Sequence, residues 1–461
     1  MQILEYLVTG YYILAFLEVI DMLLDETGVY LGRSTKMKRR WLRFKEGDAN
    51  HLLLLGQSGF GKTTFMRALV EGVWNYYHVR GEKVLIIVIE RKYDNSKAKL
   101  MLKYFKNLDP ETRERYAFVN KYINLLERYP DKMGRPGDFA MSLPAYSFID
   151  VKYSTTDKPL VVWHGVELKA YPTQRIVFKP RRPLELIAVD NGPLSNVVEG
   201  HIHYSDIDFE TLKQSVHVNS NTNYARDLEL VWDVKKVRDP DRVLSEIQAL
   251  YMARGQDPSK VDRSLANILS IVQRLKEDRL FVKNSEKDFT SYITTDRINI
   301  IDFSANSDIT KKEEQIIIKL LVDYVFSKFV LARSIPVFIF IDEVHSYLNS
   351  HANPASRAID KILREGRSVG ITAVMATQYL DNVPQHILYG AAHIGVVGYL
   401  ASLNDKKRLD AILPDAYKIE VADFDDYEEY LHAKRTRKFT GWFSWDKTFT
   451  ERMYFRPAGS F

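Results

Sequence analysis

The chain has 461 residues, 46% of them hydrophobic and 12% aromatic, enough to fill a core of roughly two to three domain-lengths and to exclude disordered, collagen-like and coiled-coil classes. Against 60 Asp and Glu stand 65 Lys and Arg, a net charge of +5, so no global basic field marks a nucleic-acid binder and any such contact is local. Cysteine is absent, which removes disulfides, thiolate nucleophiles and Cys-ligated metals, and suits an intracellular, cytoplasmic address.

Residues 6–17 form an uncharged, mostly apolar run bounded by Glu5, Glu18 and Asp21. It supplies about a dozen residues where a span needs about 20, and no basic segment precedes it as in a signal peptide. Leu4, Leu7, Tyr11, Leu14, Leu17 and Leu24 fall near one helical face, which predicts an amphipathic helix over 1–30 packing on the body or on a neighbouring subunit. Interfacial membrane helices share this pattern, but membrane association is not the expectation.

From His51 the pattern alternates between strand and helix. Residues 52–55 are an apolar run ended by glycine, the mark of a short strand buried on both faces. The runs 84–89, 298–303, 337–341, 371–376 and 394–397 repeat it, and together they predict a doubly wound, mostly parallel α/β sheet. Thr310 and Glu313 make a capping box ahead of Ile317, Leu320, Leu321, Tyr324 and Val325, while Leu265, Ile268, Leu269, Val272 and Leu275 recur at helical spacing. The second and third strands lie about two hundred residues apart, far more than a crossover needs, so an insertion is expected: helical to about 129, β-rich over 146–204, then helical again. The division that follows is a helix at 1–30, core at 31–100, insertion at 101–290, core at 291–415 and a C-terminal segment at 416–461.

Gly56-Gln57-Ser58-Gly59-Phe60-Gly61-Lys62-Thr63-Thr64 follows the first strand and opens a helix, matching G-x-x-x-x-G-K-[ST] in its proper context. Small residues let backbone N–H groups wrap a β-phosphate, Lys62 supplies charge for the β and γ oxygens, and Thr63 offers a hydroxyl to Mg²⁺. Residues 337–341 form an apolar strand tipped by Asp342 and Glu343, two adjacent acids that are costly together without a cation. Asp342 is expected to hold the Mg²⁺ shell and Glu343 to orient and polarise the attacking water. ATP hydrolysis is thus the expected reaction. Further on, Arg364-Glu365-Gly366-Arg367 precedes a strand ending in Thr377-Gln378. Gln378 suits sensing of the γ-phosphate, and the arginines suit a neighbour's γ-phosphate in trans; pairing with Glu365 or Asp360 on an exposed helix is the bland alternative.

These blocks, with IDFS at 301–304, FIDE at 340–343, REGRSVGI at 364–371 and ATQ at 376–378, resemble the HerA/FtsK superfamily of ring-forming ATPases, in its archaeal and viral HerA-like branch. The resemblance covers about 28–415 apart from the β-rich insertion. It implies a RecA-type P-loop core that assembles as a homo-oligomer, a hexameric ring, around double-stranded DNA and moves it with ATP and Mg²⁺. By position, Lys62 and Thr63 bind phosphate and Mg²⁺, Asp342 and Glu343 are the Walker B pair, Gln378 is the sensor, and Arg367, then Arg364, is the trans-acting arginine. Glu90 ends the second strand where the family often has Asp. The partner stays open between a nuclease and a transfer machinery, and conjugation, secretion or viral packaging at a membrane or capsid is the alternative use, as is a nucleotide-regulated scaffold.

Two basic runs, 36–45 and 434–438, and the stretch 178–183 are candidate DNA contacts that equally suit solvated faces or subunit contacts. His201 and His203 with Asp206 and Asp208 have metal-like spacing, although two surface histidines on a strand are commoner.

Overall fold

Four- to seven-residue apolar runs bounded by glycine and acids become the strands of one twelve-stranded sheet. The computed structural model describes residues 28–36, 38–42, 50–91, 162–163, 166–167, 171–190, 195–216, 223–255, 262–304, 307–330, 335–348, 353–381, 383–422, 429–430, 432–433 and 440–455. The strands are β1 (Val29–Ser34), β2 (Arg39–Leu42), β3 (Leu52–Leu55), β4 (Leu85–Glu90), β5 (Thr173–Val177), β6 (Ser195–Glu199), β7 (Ile298–Asp302), β8 (Val337–Ile341), β9 (Ile371–Thr377), β10 (His393–Val397), β11 (Thr440–Trp445) and β12 (Phe449–Phe455). Across the sheet they run β2-β1-β12-β11-β10-β3-β9-β8-β4-β7-β5-β6. From β10 to β6 all neighbours are parallel, whereas β10, β11, β12, β1 and β2 form an antiparallel apron.

The helices that matter below are α1 (Lys62–Val79), α2 (Phe209–Val216), α3 (Asn223–Glu229), α4 (Pro240–Ala253), α5 (Asp262–Glu277), α6 (Lys311–Val325) and α7 (Pro354–Val369). Successive strand residues point to opposite faces, so the central strands feed two cores. Leu52, Leu54, Ile86, Val88, Phe338 and Phe340 pack with α1, while Leu53, Leu55, Ile87, Ile89, Ile339 and Ile341 pack with α6, α7 and the α2–α5 layer. The sheet is covered on both faces, which is why its strands read as unbroken apolar runs. The mostly parallel α/β class and all six predicted strands are present, and Thr310 with Glu313 closes the capping box at the start of α6.

Part of the expected insertion is continuous with this sheet. β5 runs in parallel register with β7, and β6 with β5, so these two strands extend the edge of the sheet. Thr173, Gln174 and Arg175 are polar, yet every residue of the strand is buried. The amphipathic helix expected over 1–30 lies outside the described residues up to 27, and Val29 and Tyr30 already belong to β1; the helical stretch expected to about 129 and the basic run 434–438 also lie outside them. Among the described residues, no helix is long and apolar enough to cross a membrane.

Candidate nucleotide site

The phosphate loop leaves β3 at Leu55 and has to pass hard against β10. Gly56 lies at φ 141°, and a Cβ there would stand 2.1 Å from the Val397 carbonyl oxygen. The Gln57 N–H donates to the Tyr399 carbonyl at 2.9 Å, which bolts the loop to the chain after β10. Phe60 is wholly buried, edge-on to Tyr399 at 5.3 Å and Tyr430 at 6.3 Å. Gly398 accommodates it, because a Cβ at that position would sit 2.5 Å from the Phe60 side chain. Gly61 precedes α1 in a left-handed conformation and offers no side-chain cap, and the first turn of α1 carries no acid. The opening N–H groups of α1 and their positive dipole end therefore suit an anion. Ser58 and Gly59 lie in the turn between Gln57 and Phe60, and Thr64 follows Thr63 in the first turn of α1.

The acids arrive from β8. In the sheet, β9 lies between β3 and β8, so the carboxyl ends of three adjacent strands carry the loop, Gln378 and the Asp342-Glu343 pair. Carboxyl ends of parallel strands are where α/β sheets place their ligands. The Thr63 hydroxyl donates to Asp342 Oδ2 at 3.2 Å, and Lys62 Nζ lies 3.7 Å from Glu343 Oε1. Gln378 Nε2 donates to the same Oε1 at 2.7 Å, and His345 Nδ1 stands 3.3 Å from Glu343 Oε2 and 3.1 Å from Thr377 Oγ1. Glu343 has φ 52°, a left-handed backbone that costs a non-glycine residue about 1–3 kcal/mol and persists only where surroundings impose it. Its N–H is held by Asp342 Oδ1 at 3.0 Å and its carbonyl accepts the Ser346 N–H at 2.9 Å. The bend turns the carboxylate back toward Lys62.

Beside these acids lies a charge network that the sequence reading missed. Arg175 of β5, 2% exposed, donates to Asp302 at 2.7 Å and to Glu90 at 2.7 Å; Glu90 in turn stands 3.6 Å from Arg67 of α1. Burial works against the Arg175 charge, but Glu90 and Asp302 outweigh it and hold its pKa above the usual arginine value. The network joins the ends of β4 and β7 to the middle of β5 and begins five residues after Lys62 in the helix of the phosphate loop. Its available signal was Glu90 and Asp302, acids ending apolar strands, with an arginine inside a third.

The predicted site residues divide into two sets. Gly56 to Thr64, Asp342, Glu343 and Gln378 converge. Arg364 and Arg367 lie on the exposed face of α7, opposite the side that buries Ala355, Ile359, Ile362 and Leu363, and Arg364 pairs with Asp360 at 2.8 Å. His345 lies in the 3-10 turn Val344–Tyr347 and reaches Glu343. Thr63 and Asp342 present two hard oxygens 3.2 Å apart beside the anion-seeking end of α1, a donor set that fits Mg²⁺, which takes few protein ligands and keeps several waters. His201 and His203 instead bond the backbone carbonyls of Arg279 and Glu286. Asp208 serves Thr211 and Lys319 and takes no part in the cluster His203–Asp206–Asp288.

Residues 31–324, well over half the chain, match the family model described as helicase HerA, central domain. The chain belongs to the HerA family. It is accordingly a P-loop ATPase, and the matched span carries the phosphate loop and β7 but ends before Asp342. Among solved structures it is similar to VirB4 of Thermoanaerobacter pseudethanolicus, at 10% identity over 94% of this chain and 98% of that one, with a TM-score of 0.44. A bacterial conjugative coupling protein, TrwBdeltaN70, shows 12% identity over 91% and 89% at 0.43. The genome packaging NTPase B204 of Sulfolobus turreted icosahedral virus 2 shows 13% identity over 37% and 72% at 0.25. At such scores none of them lends residue roles to this HerA-family chain. No curated protein matches it.

Proposed function

We propose that this HerA-family chain is a motor subunit that binds ATP with Mg²⁺ at the Gly56–Thr64 loop, hydrolyses it through Glu343, and couples turnover to movement of double-stranded DNA through a homo-oligomeric, hexameric ring. The observation that carries the site is the meeting of Thr63 with Asp342 at 3.2 Å and of Lys62 with Glu343 at 3.7 Å, across 279 residues of sequence in the first pair. Membership of a family described as a helicase supports the nucleic-acid cargo.

Each residue's part follows from its position. The N–H groups opening α1 and the Lys62 ammonium take the charge of the β- and γ-phosphates. Thr63 and Asp342 would hold Mg²⁺, which when bound neutralises phosphate charge as it develops. Glu343 accepts the proton of the attacking water; both its oxygens are already directed, one by Gln378 and one by His345, so little reorganisation precedes reaction. Arg367 of one subunit, exposed on α7, completes a neighbour's site by neutralising transition-state charge, with Arg364 second because Asp360 occupies it.

In nucleotide-binding and ATPase assays, Lys62→Ala should lose ATP binding. Glu343→Gln should keep binding while turnover falls on the order of 10²- to 10⁴-fold. A Glu343→Gln enzyme with wild-type turnover would remove Glu343 from the chemistry and, with it, this mechanism.

A further inference from the structure

On the α2–α5 layer, away from the phosphate loop, a cavity of about 650 Å³ is lined by Tyr204, Lys235, Lys236, Arg238, Arg242 and Lys283, with Asp239 the acid in its wall. Asp239 is occupied in capping α4, where it accepts the Asp241 N–H. Three of the cations are answered: Lys235 by Glu246 at 3.1 Å, Arg238 by Asp233 at 3.0 Å and Lys283 by Asp241 at 2.8 Å. Lys236 and Arg242 have no ion pair among the described residues.

Lys236 is held there against its backbone preference. It sits at φ 57°, a left-handed conformation uncommon for lysine, just after a π-helical turn at Leu230–Val234. Trp232, buried with its indole N–H on the Ile207 carbonyl at 2.6 Å, anchors the turn, and the Asp239 cap fixes the other end of the loop. A rigidly imposed outlier that presents an unanswered cation to a cavity is the pattern in which strain accompanies a ligand site. A second cavity, about 900 Å³, has in its wall Arg274 of α5, without an ion pair among the described residues, together with Arg181, paired with Asp308 at 2.9 Å, Arg279, paired with Glu199 at 3.0 Å, and the acids Glu277 and Asp278. Lys283 lines the first cavity and Arg279 the second, on either side of the strand Phe281–Val282. Cations set out in a row suit a strand of phosphodiesters better than one compact anion.

We propose that Lys236 and Arg242, with the cations around them, form a phosphate-binding site on the helical layer that takes the phosphodiester backbone of a nucleic acid. The site rests on the DNA-motor reading only for the source of its phosphate.

The test compares the full wild-type chain with the Lys236→Glu/Arg242→Glu variant. Binding of a short fluorescent duplex is followed by anisotropy through a salt titration, and melting temperature is read with and without inorganic phosphate. The variant should bind duplex on the order of tenfold more weakly, with a log–log salt slope smaller by about 2, since each lost phosphate contact releases about one counterion fewer. Its DNA-free ATPase should stay at the wild-type rate, and Lys236→Arg/Arg242→Lys should bind like wild type. Unchanged affinity and slope in the Glu variant would overturn the nucleic-acid assignment, even if phosphate raised the melting temperature of the wild type alone and so marked a free-anion site. Should wild type bind no duplex at all, the motor reading fails by itself. The phosphate-induced shift then decides the cavity separately, and its absence in the wild type overturns the site altogether.

Discussion

The charges at the carboxyl ends of β4, β8 and β9 and those on the outward faces of α7 and the α4 region obey opposite rules. The first set is buried and answered from within: Lys62, Gln378 and His345 surround Glu343, and Arg67 and Arg175 hold Glu90 and Asp302. The second is exposed, and Arg242 and Lys236 beside the cavity have no ion pair among the described residues, while Arg367 lies on the open face of α7. Burial in low dielectric forces a charge to bring its partner with it, whereas solvent lets a cation wait for one. The inner set thus belongs to the subunit's own geometry, and on the proposed reading the outer set is open to anions supplied from outside.

Arg367 offers the largest test of that contrast. If it serves a neighbour's phosphate, Arg367→Ala should lower the ATPase on the order of 10³-fold or more, and mixing it with Lys62→Ala subunits should restore part of the activity. Mixed assemblies with no recovery would move Arg367 to the inner set or to a structural role. Next comes Arg175→Met. It takes the Arg175 charge from buried Asp302 and leaves half-buried Glu90 only Arg67 at 3.6 Å, and urea unfolding should show a loss of about 3–5 kcal/mol. Wild-type stability in that variant would mean that the inner charges are not mutually dependent.

The smallest effect is a pH dependence. His51 is buried at the foot of β3, its Nδ1 accepting the Ala373 N–H at 3.1 Å, and burial lowers its pKa from 6.5 to about 4. Below about 6.5 the unfolded chain takes up a proton that the folded chain refuses, so stability rises with pH across this window. The contribution is intact above 6.5 and is lost as pH falls toward 4, by up to roughly 3 kcal/mol. His51→Asn, which keeps an acceptor for Ala373, should flatten this part of the urea-midpoint profile; an unchanged slope would place the acid sensitivity elsewhere.

Much of the active end was legible in the primary structure, for local reasons. The phosphate loop is a continuous segment whose glycines answer to backbone geometry, and Asp342-Glu343 ends a five-residue apolar run, so period and punctuation located both. The six buried strands were legible because two-sided burial leaves no polar residues to confuse the pattern. β5 carried a weaker signal: its stretch read as β within an insertion, and only pairing with β7 and β6 joins it to the core sheet and buries Thr173, Gln174 and Arg175.

What the amino-acid order determined alone was therefore the inventory: an ATPase loop, paired acids, a glutamine and two arginines, on an α/β frame. Only the tertiary structure decided that β9 lies between β3 and β8, which sets Gln378 between phosphate loop and acids, and that Arg175 closes a charge network from 85 residues beyond Glu90. The physical reason is that strand order and burial depend on which distant segments exclude water from one another. Such pairings leave no periodicity in a chain read one neighbourhood at a time.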